Sequence, residues 1–242
     1  MENAFILITG TSRGIGEMLA QKLLEQGNTV LGVSRNRSDL LTSEHYHHLS
    51  FDLTDTSGID RILVKAAQII DQQSHDFLCL VNNASMLEPL GAIEDCSFSE
   101  IEAHIRVGLI APMILTSGFI RDFSDRNARK KIAFVSSGAG NNPILGGSAY
   151  STAKAGINMF TRAVGLEQQS IENGFEVVAF SPGMVETSMQ KTIRSKTSQE
   201  FASADRFKQA KQMGRVQERS EIMDRLIALI EDHQENGQFI HL

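Results

Sequence analysis

Ser137, Tyr150 and Lys154 are the residues of this chain whose types and spacing suit chemistry. Tyr150 and Lys154 stand four positions apart, so on a helix they stack on one face. An ammonium beside a phenol favours the phenolate and lowers a tyrosine pKa from its ordinary value of about 10. A tyrosine tuned in this way can act as an acid near neutral pH. The other tyrosine, Tyr46, lies in a polar stretch, Thr42 to His48, with no comparable partner. Ordinary exposed helices also carry a Tyr and a Lys one turn apart. The pair therefore gains meaning only from the elements that position it.

Those elements belong to a chain of 242 residues, 41% hydrophobic, long enough to bury a full core and best read as one α/β domain over residues 1–242. A net charge of −6 with scattered Arg and Lys argues against nucleic acid as a partner. Cys79 and Cys96 are the only cysteines, and Cys79 sits in an apolar run, which suggests reduced thiols in the cytoplasm. No stretch approaches the ~20 apolar residues of a membrane span. The apolar run Ala4 to Thr9 lacks the basic flank and the length of a signal peptide. A soluble protein without membrane partners or a metal site is expected.

Short apolar runs alternate with longer amphipathic segments, the pattern of a parallel sheet covered by helices. Strands are predicted at Phe5 to Thr9, Thr29 to Ser34, His48 to Asp52, Phe77 to Asn82, Lys131 to Ser136, Glu176 to Ser181 and Gln238 to Leu242. Helices are predicted near Gly14 to Glu25, Gly58 to Gln72, Phe98 to Phe123, Ser151 to Glu172 and Ser220 to Glu231, the third opening on a Ser97–Glu100 capping box. Residues 187–214 lack a clear period. A long irregular segment inside a compact domain is usually functional, so it is read as a substrate-binding lid.

The first predicted strand runs into Gly10, Thr11, Ser12, Arg13, Gly14, Ile15 and Gly16, and a helix follows. Glycines at such a turn let the backbone approach a pyrophosphate, and free N–H groups at the helix start attract its charge. The spacing Gly-x-x-x-Gly-x-Gly differs from the commonest dinucleotide fingerprint, but its place between strand one and helix one supports a Rossmann-type, doubly wound, seven-stranded parallel sheet with helices on both faces. The second strand ends in Ser34, Arg35, Asn36 and Arg37, where an NAD site usually carries an acid. Arg13 and Arg35 instead suit a two-armed clamp on a 2′-phosphate, which selects NADPH.

The glycine turn, Asn82-Asn83-Ala84, Ser137, Tyr150-x-x-x-Lys154 and Pro182-Gly183-x-x-x-Thr187 together resemble the short-chain dehydrogenase/reductase family along almost the whole chain. The resemblance implies that Ser137 holds the substrate carbonyl oxygen and Tyr150 delivers the proton. Lys154 would bind the nicotinamide ribose and depress the Tyr150 pKa. It also implies that Asp52 and Leu53 line the adenine pocket and that Asn83 and Ala84 flank the adenosine ribose. Val185 and Thr187, after Pro182 and Gly183, would hold the nicotinamide carboxamide. Ser85 replaces the glycine usual after the Asn-Asn-Ala motif, and Gly108 stands where the family carries a catalytic asparagine. A glycine there keeps the main-chain carbonyl that the family's proton relay uses.

The segment Ser181 to Gln190 and the closing residues are similar to sepiapterin reductases and to benzil reductases that form (S)-benzoin. The aspartate with which the former grip a pterin aligns with His241, a poor substitute facing two N–H donors; Asp232 and Glu235 are the other carboxylates that could serve. The expectation is therefore an NADPH-dependent reductase of an aromatic 1,2-diketone, with Leu145, Met184 and Met189 lining its pocket. A pterin diketone reductase is the alternative within the class, and an NADPH-binding regulatory protein with weakened chemistry the alternative outside it. The resemblance also implies a homodimer or homotetramer, paired through the helices Phe98 to Phe123 and Ser151 to Glu172.

Overall fold

The computed structural model describes residues 3–242. Seven strands form one sheet in the order β3-β2-β1-β4-β5-β6-β7: β1 Ala4–Thr9, β2 Thr29–Ser34, β3 Tyr46–Ser50, β4 Phe77–Asn82, β5 Arg129–Val135, β6 Glu176–Ser181 and β7 Phe239–His241. All six pairings are parallel. The helices are α1 Gly14–Glu25, α2 Asp60–Ile70, α3 Phe98–Ile105, α4 Ala111–Phe123, α5 Ser148–Gln169, α6 Ser188–Ser195, α7 Ala204–Gln212 and α8 Arg219–Glu231. β2 and β4 flank β1 on opposite sides, so the winding reverses there and the carboxyl ends of β1 and β4 open a crevice.

Alternation along the strands builds two cores. Phe5 and Leu7 of β1 face α2, α4 and α5 together with Leu31, Leu78, Leu80 and Phe134. Ala4, Ile6 and Ile8 face α1 and α8 together with Cys79, Val81 and Phe180. A third, smaller cluster joins Ile193, Phe201 and Ala204 to Leu87, Leu90, Ile144, Met189 and Phe207. That cluster contains much of the segment predicted to lack periodic structure, which instead contains α6 and α7.

Several boundaries move for identifiable reasons. β3 starts at Tyr46 rather than His48 because the Tyr46 ring is buried, with its hydroxyl 3.0 Å from Thr11 Oγ1. Tyr46 thus has a partner that the polar stretch around it does not suggest. Asp52 lies beyond the strand, where its Oδ1 accepts from the Thr54 N–H at 2.9 Å. The capping box is present, with the Glu100 N–H on Ser97 Oγ and the Ser97 N–H on Glu100 Oε2, both at 3.3 Å.

The helical stretch Phe98–Phe123 is 26 residues long and apolar enough by composition to cross a membrane, contrary to the reading of the sequence. Half of its most apolar window is buried inside the protein, with Val107, Ala111, Leu115, Phe119 and Phe123 in the core. It is also not uniform. Arg106–Ile110 form a π-helical turn in which the Ala111 N–H reaches the Arg106 carbonyl. Pro112 has no N–H for the carbonyl four residues back, that of Gly108, which loses its ordinary helical donor.

Phe119 is fully buried between Phe123 and Phe175, at centroid distances of 4.8 and 6.0 Å. Phe119→Ala should lower the urea unfolding free energy by about 3–5 kcal/mol, the usual cost of such a cavity.

Candidate active site

The glycine turn begins where β1 ends. Gly10 has φ +77°, and a Cβ there would lie 3.0 Å from the Ala84 Cα, so glycine suits both the backbone and the approach of β4's following turn. A Cβ on Gly16 would stand 2.4 Å from both the Asn83 Nδ2 and the Gly10 carbonyl oxygen. Gly16 accordingly packs α1 against the turn and does not line the cavity described below, a correction to its expected place as a contact. Asn83 donates from Nδ2 to the Thr9 and Gly10 carbonyls at 2.8 and 3.2 Å, while Thr9 Oγ1 accepts from the Asn83 and Ala84 N–H groups, each at 3.0 Å. The Asn83 amide therefore braces the turn. No side chain caps the start of α1. The uncapped N–H groups and the helix dipole make this a place for an anion.

The catalytic candidates meet across β5 and α5. Ser136 Oγ donates to Asn158 Oδ1 at 2.6 Å, fixing the end of β5 against α5. Ser137 then opens a short 3₁₀ turn, Gly138–Gly140, whose Ala139 N–H it accepts at 3.2 Å. A Cβ on Gly140 would meet the backbone of Lys154 at 2.8 Å. That close approach brings the Ser137 turn beside the helix turn bearing Tyr150 and Lys154. Helix packing on the other side is equally close, since a Cβ on Gly108 would lie 3.1 Å from Ala153 Cβ and one on Gly156 would lie 2.9 Å from a Leu109 methyl.

Lys154 is 4% exposed, and its Nζ donates to the Val135 carbonyl at 2.8 Å. Burial pulls its pKa down to about 8. The Nζ also lies 5.6 Å from the centre of the Tyr150 ring. Burial raises the Tyr150 pKa, and the Ser137 hydroxyl counters that shift. The shift thus runs opposite to the depression expected from Lys154, because loss of water penalises phenolate and ammonium alike. Spacing along a helix reveals proximity but not desolvation.

A single cavity of about 920 Å³ runs from the glycine turn past Ser137, Tyr150 and Lys154 to α6 and α7. Gly10, Ser12, Arg13, Gly14, Ile15, Ser34, Arg35, Asp52, Leu53, Asn83, Ala84, Pro182, Gly183, Val185 and Thr187 all line it, as do Met184 and Met189. Leu145 does not. It is 74% exposed and its carbonyl accepts from Ser203 Oγ, whereas the adjacent Ile144 turns inward. Two neighbouring apolar residues in a loop carry no period that would tell them apart. Leu87, Leu90, Ile193, Phe201 and Phe207 complete the apolar wall and escaped the reading of the sequence. The apolar residues that follow Asn82-Asn83-Ala84 were the available signal for the first two.

At the far end, Arg13 and Arg35 are exposed and line the cavity, and neither forms an ion pair among the described residues. Arg37 is turned away, donating to the Leu41 carbonyl at 3.2 Å and lying over the Tyr46 ring. Asp52 is the one carboxylate among the described lining residues. Asp232 and Glu235 lie outside the cavity, and the Asp232 carbonyl accepts from Arg129 and Lys131. Thr187 caps α6 through the Gln190 N–H, which leaves its own O–H to donate.

An uncapped helix start, a glycine cradle and a Ser–Tyr–Lys cluster at the carboxyl edge of a doubly wound sheet define the class of dinucleotide-dependent oxidoreductases. The chain belongs to the short chain dehydrogenase family, whose pattern matches residues 4–198. It is 37% identical over 218 residues to benzil reductase ((S)-benzoin forming) of Bacillus cereus, with 88% of each chain covered. A second protein of that name, from Bacillus subtilis (strain 168), is 33% identical over 232 residues, covering 96% of this chain and 95% of its own. The crystal structure of the KRED1-Pglu enzyme shares the fold, with a TM-score of 0.82 over 98% of this chain and 99% of that one at 23% identity. The protein is thus an oxidoreductase acting on carbonyl or CH–OH groups of small molecules with a nicotinamide cofactor.

The Lys154 shift fixes the sign of a pH dependence. Below about 8 the side chain is an ammonium; above it the folded protein holds a neutral amine. The kcat/KM for the reduced cofactor, which reports groups of the free enzyme, should hold steady near neutrality and decline as pH rises through about 8. A profile flat to pH values near the lysine reference of about 10.4 would contradict this.

Proposed function

We propose that the protein is an NADPH-dependent carbonyl reductase that converts an aromatic 1,2-diketone such as benzil to (S)-benzoin. The observation that carries the substrate class is the wall at the Ser137 and Tyr150 end, which is mainly leucine, isoleucine, methionine and phenylalanine, with Asn142, Gln190 and Arg206 among its polar members and no carboxylate among the described lining residues at that end. Such a wall suits aromatic rings. It disfavours a pterin, whose N–H edge needs an acid, because His241 stands in that region while Asp232 and Glu235 lie outside the cavity. The names of the two Bacillus relatives favour the same substrate.

The residues suit the cofactor. Its pyrophosphate would lie on the uncapped start of α1, its 2′-phosphate between Arg13 and Arg35, its adenine beside Asp52 and Leu53, and its carboxamide near Val185 and Thr187. When bound, it supplies a hydride to the carbonyl carbon. Ser137 and Tyr150 donate hydrogen bonds to the carbonyl oxygen, which stabilise the negative charge as it develops. Tyr150 then gives up its proton to that oxygen, so that one carbonyl becomes a secondary alcohol. Lys154 keeps a positive charge close to the resulting phenolate, and the carbonyl of Gly108, freed by Pro112, is an acceptor for water on the route by which Tyr150 is reprotonated. The helices α6 and α7 serve as the lid of the substrate end and exclude bulk water.

Assembly as a homodimer or homotetramer fits the apolar residues left exposed on the long helices, Met113 and Ile114 on α4 and Met159 and Leu166 on α5. A cytoplasmic location fits the two free cysteines, of which Cys79 is buried with its thiol pushed up to about 12.

NADPH consumption across benzil, other aromatic diketones, quinones and pterins tests the reading; benzil should lead, and NADPH binding without turnover of any of them would favour the regulatory alternative. Tyr150→Phe should lower benzil turnover about 10²-fold or more with NADPH binding retained, and full activity would exclude Tyr150 as the acid. Arg35→Ala should raise the KM for NADPH roughly tenfold, the loss of one charge-assisted contact, and leave that for NADH unchanged. Equal effects on the two cofactors would contradict the 2′-phosphate clamp.

A further inference from the structure

One imidazole behind the site takes no part in the chemistry above. His104, on the last turn of α3, is 1% exposed and meets the Tyr150 ring edge to face, at a centroid distance of 6.0 Å and an interplanar angle of 75°. Its Nδ1 lies 2.7 Å from the Glu88 carbonyl oxygen. A carbonyl only accepts, so Nδ1 carries the hydrogen and the neutral ring keeps its lone pair on Nε2. Burial lowers the imidazole's pKa, the hydrogen bond to Glu88 opposes this, and the charge of Lys154 adds to the lowering.

The surroundings give this ring a fixed orientation. Residues 104 and 108 share a helix face, and the Cδ2 and Nε2 atoms lie 3.8 and 3.9 Å from where a Cβ would stand on Gly108. The imidazole thus borders the space left by the missing side chain in the π-helical turn, on the side where that turn packs against Ala153 of α5. One nitrogen is anchored to a backbone carbonyl, and the rest of the ring is wedged between that turn and Tyr150. A histidine in a core often only satisfies its own polar atoms. Here the ring anchored through Nδ1 also packs directly against Tyr150, the proposed proton donor.

We propose that His104 is a positioning residue for proton transfer: anchored through Nδ1 to the Glu88 carbonyl, it fixes the Tyr150 ring in the orientation from which the hydroxyl reaches the substrate oxygen. This inference rests on the carbonyl-reductase reading and deepens it. The role differs from filling space, because phenylalanine matches the ring's shape but leaves the Glu88 carbonyl without its donor. Glutamine lacks the ring but keeps an N–H that reaches a carbonyl.

The test compares the full-length wild type with His104→Phe, His104→Leu and His104→Gln, using NADPH and benzil, with melting curves and NADPH binding to identify folded variants. In His104→Phe and His104→Leu, kcat should fall roughly 10- to 100-fold, the scale of an ångström-level misplacement, with the KM for benzil and the affinity for NADPH nearly unchanged. His104→Gln should recover most of the lost kcat. Wild-type kcat in a folded Phe or Leu variant, a loss confined to KM, or a Gln variant no better than the other two would overturn the proposal. An inactive wild type would refute the reductase reading itself, and this proposal with it.

Discussion

A buried ammonium with a backbone carbonyl as its hydrogen-bond acceptor is the constraint on which the rest of this structure depends. Lys154 is desolvated enough to bring its pKa down to about 8, and its Nζ bonds to the Val135 carbonyl at 2.8 Å. At neutral pH the folded chain therefore carries a charge that its surroundings disfavour. With a folded value below the unfolded one of about 10.4, this group's contribution to stability improves as pH rises from about 8 and is least favourable below it, by roughly 3 kcal/mol. The core alone gives no reason for such an arrangement. In the proposed reaction the neighbouring phenol, which burial makes reluctant to ionise, provides one, because a nearby cation would stabilise the phenolate left after proton donation.

The scaffold keeps this cluster in place by close approach of helices and turns. Gly140 brings the Ser137 turn onto the Lys154 backbone, and Gly108 and Gly156 let the π-helical turn press against α5. The irregularity in the long helix is thus part of the site. Pro112 and Gly108 both mark it: the proline removes a donor, and the glycine leaves room that the His104 ring borders. At the other end, the uncapped start of α1 and the guanidinium groups of Arg13 and Arg35, without an ion pair among the described residues, favour negative charge, while residues of α6 and α7 line the cavity at the Tyr150 end.

Much of this was legible because periodicity and turn chemistry are local. The apolar runs marked all seven strands, the Ser97–Glu100 pair marked the start of α3, and the glycine turn marked the crevice. What escaped depends on tertiary contact. Strand β3 is displaced because Tyr46, in a polar run, is buried with its hydroxyl on Thr11, and the pocket takes Ile144 where Leu145 is expected because a loop has no inward face until it folds. The helices α6 and α7 bury few residues, chiefly Ile193, Ala204 and Ala210, too few to leave a clear period. Gly16 looks like a ligand contact by motif, yet it serves helix packing, and Asn83, which does line the cavity, also bonds to the turn's own backbone. The direction of the Tyr150 shift was out of reach, since it is set by burial.

The central claim is that Lys154 is kept for chemistry at the expense of stability, and Lys154→Met separates the two most directly. Methionine fills a similar volume without charge, and replacing a desolvated ion by an apolar side chain is often neutral or stabilising. Thermal melting of the variant at neutral pH, measured alongside benzil turnover, should give a Tm equal to or above that of the wild type with turnover reduced by about 10²-fold or more. A lower Tm with turnover retained would show that the ammonium holds the fold together and not the reaction, and would contradict the account.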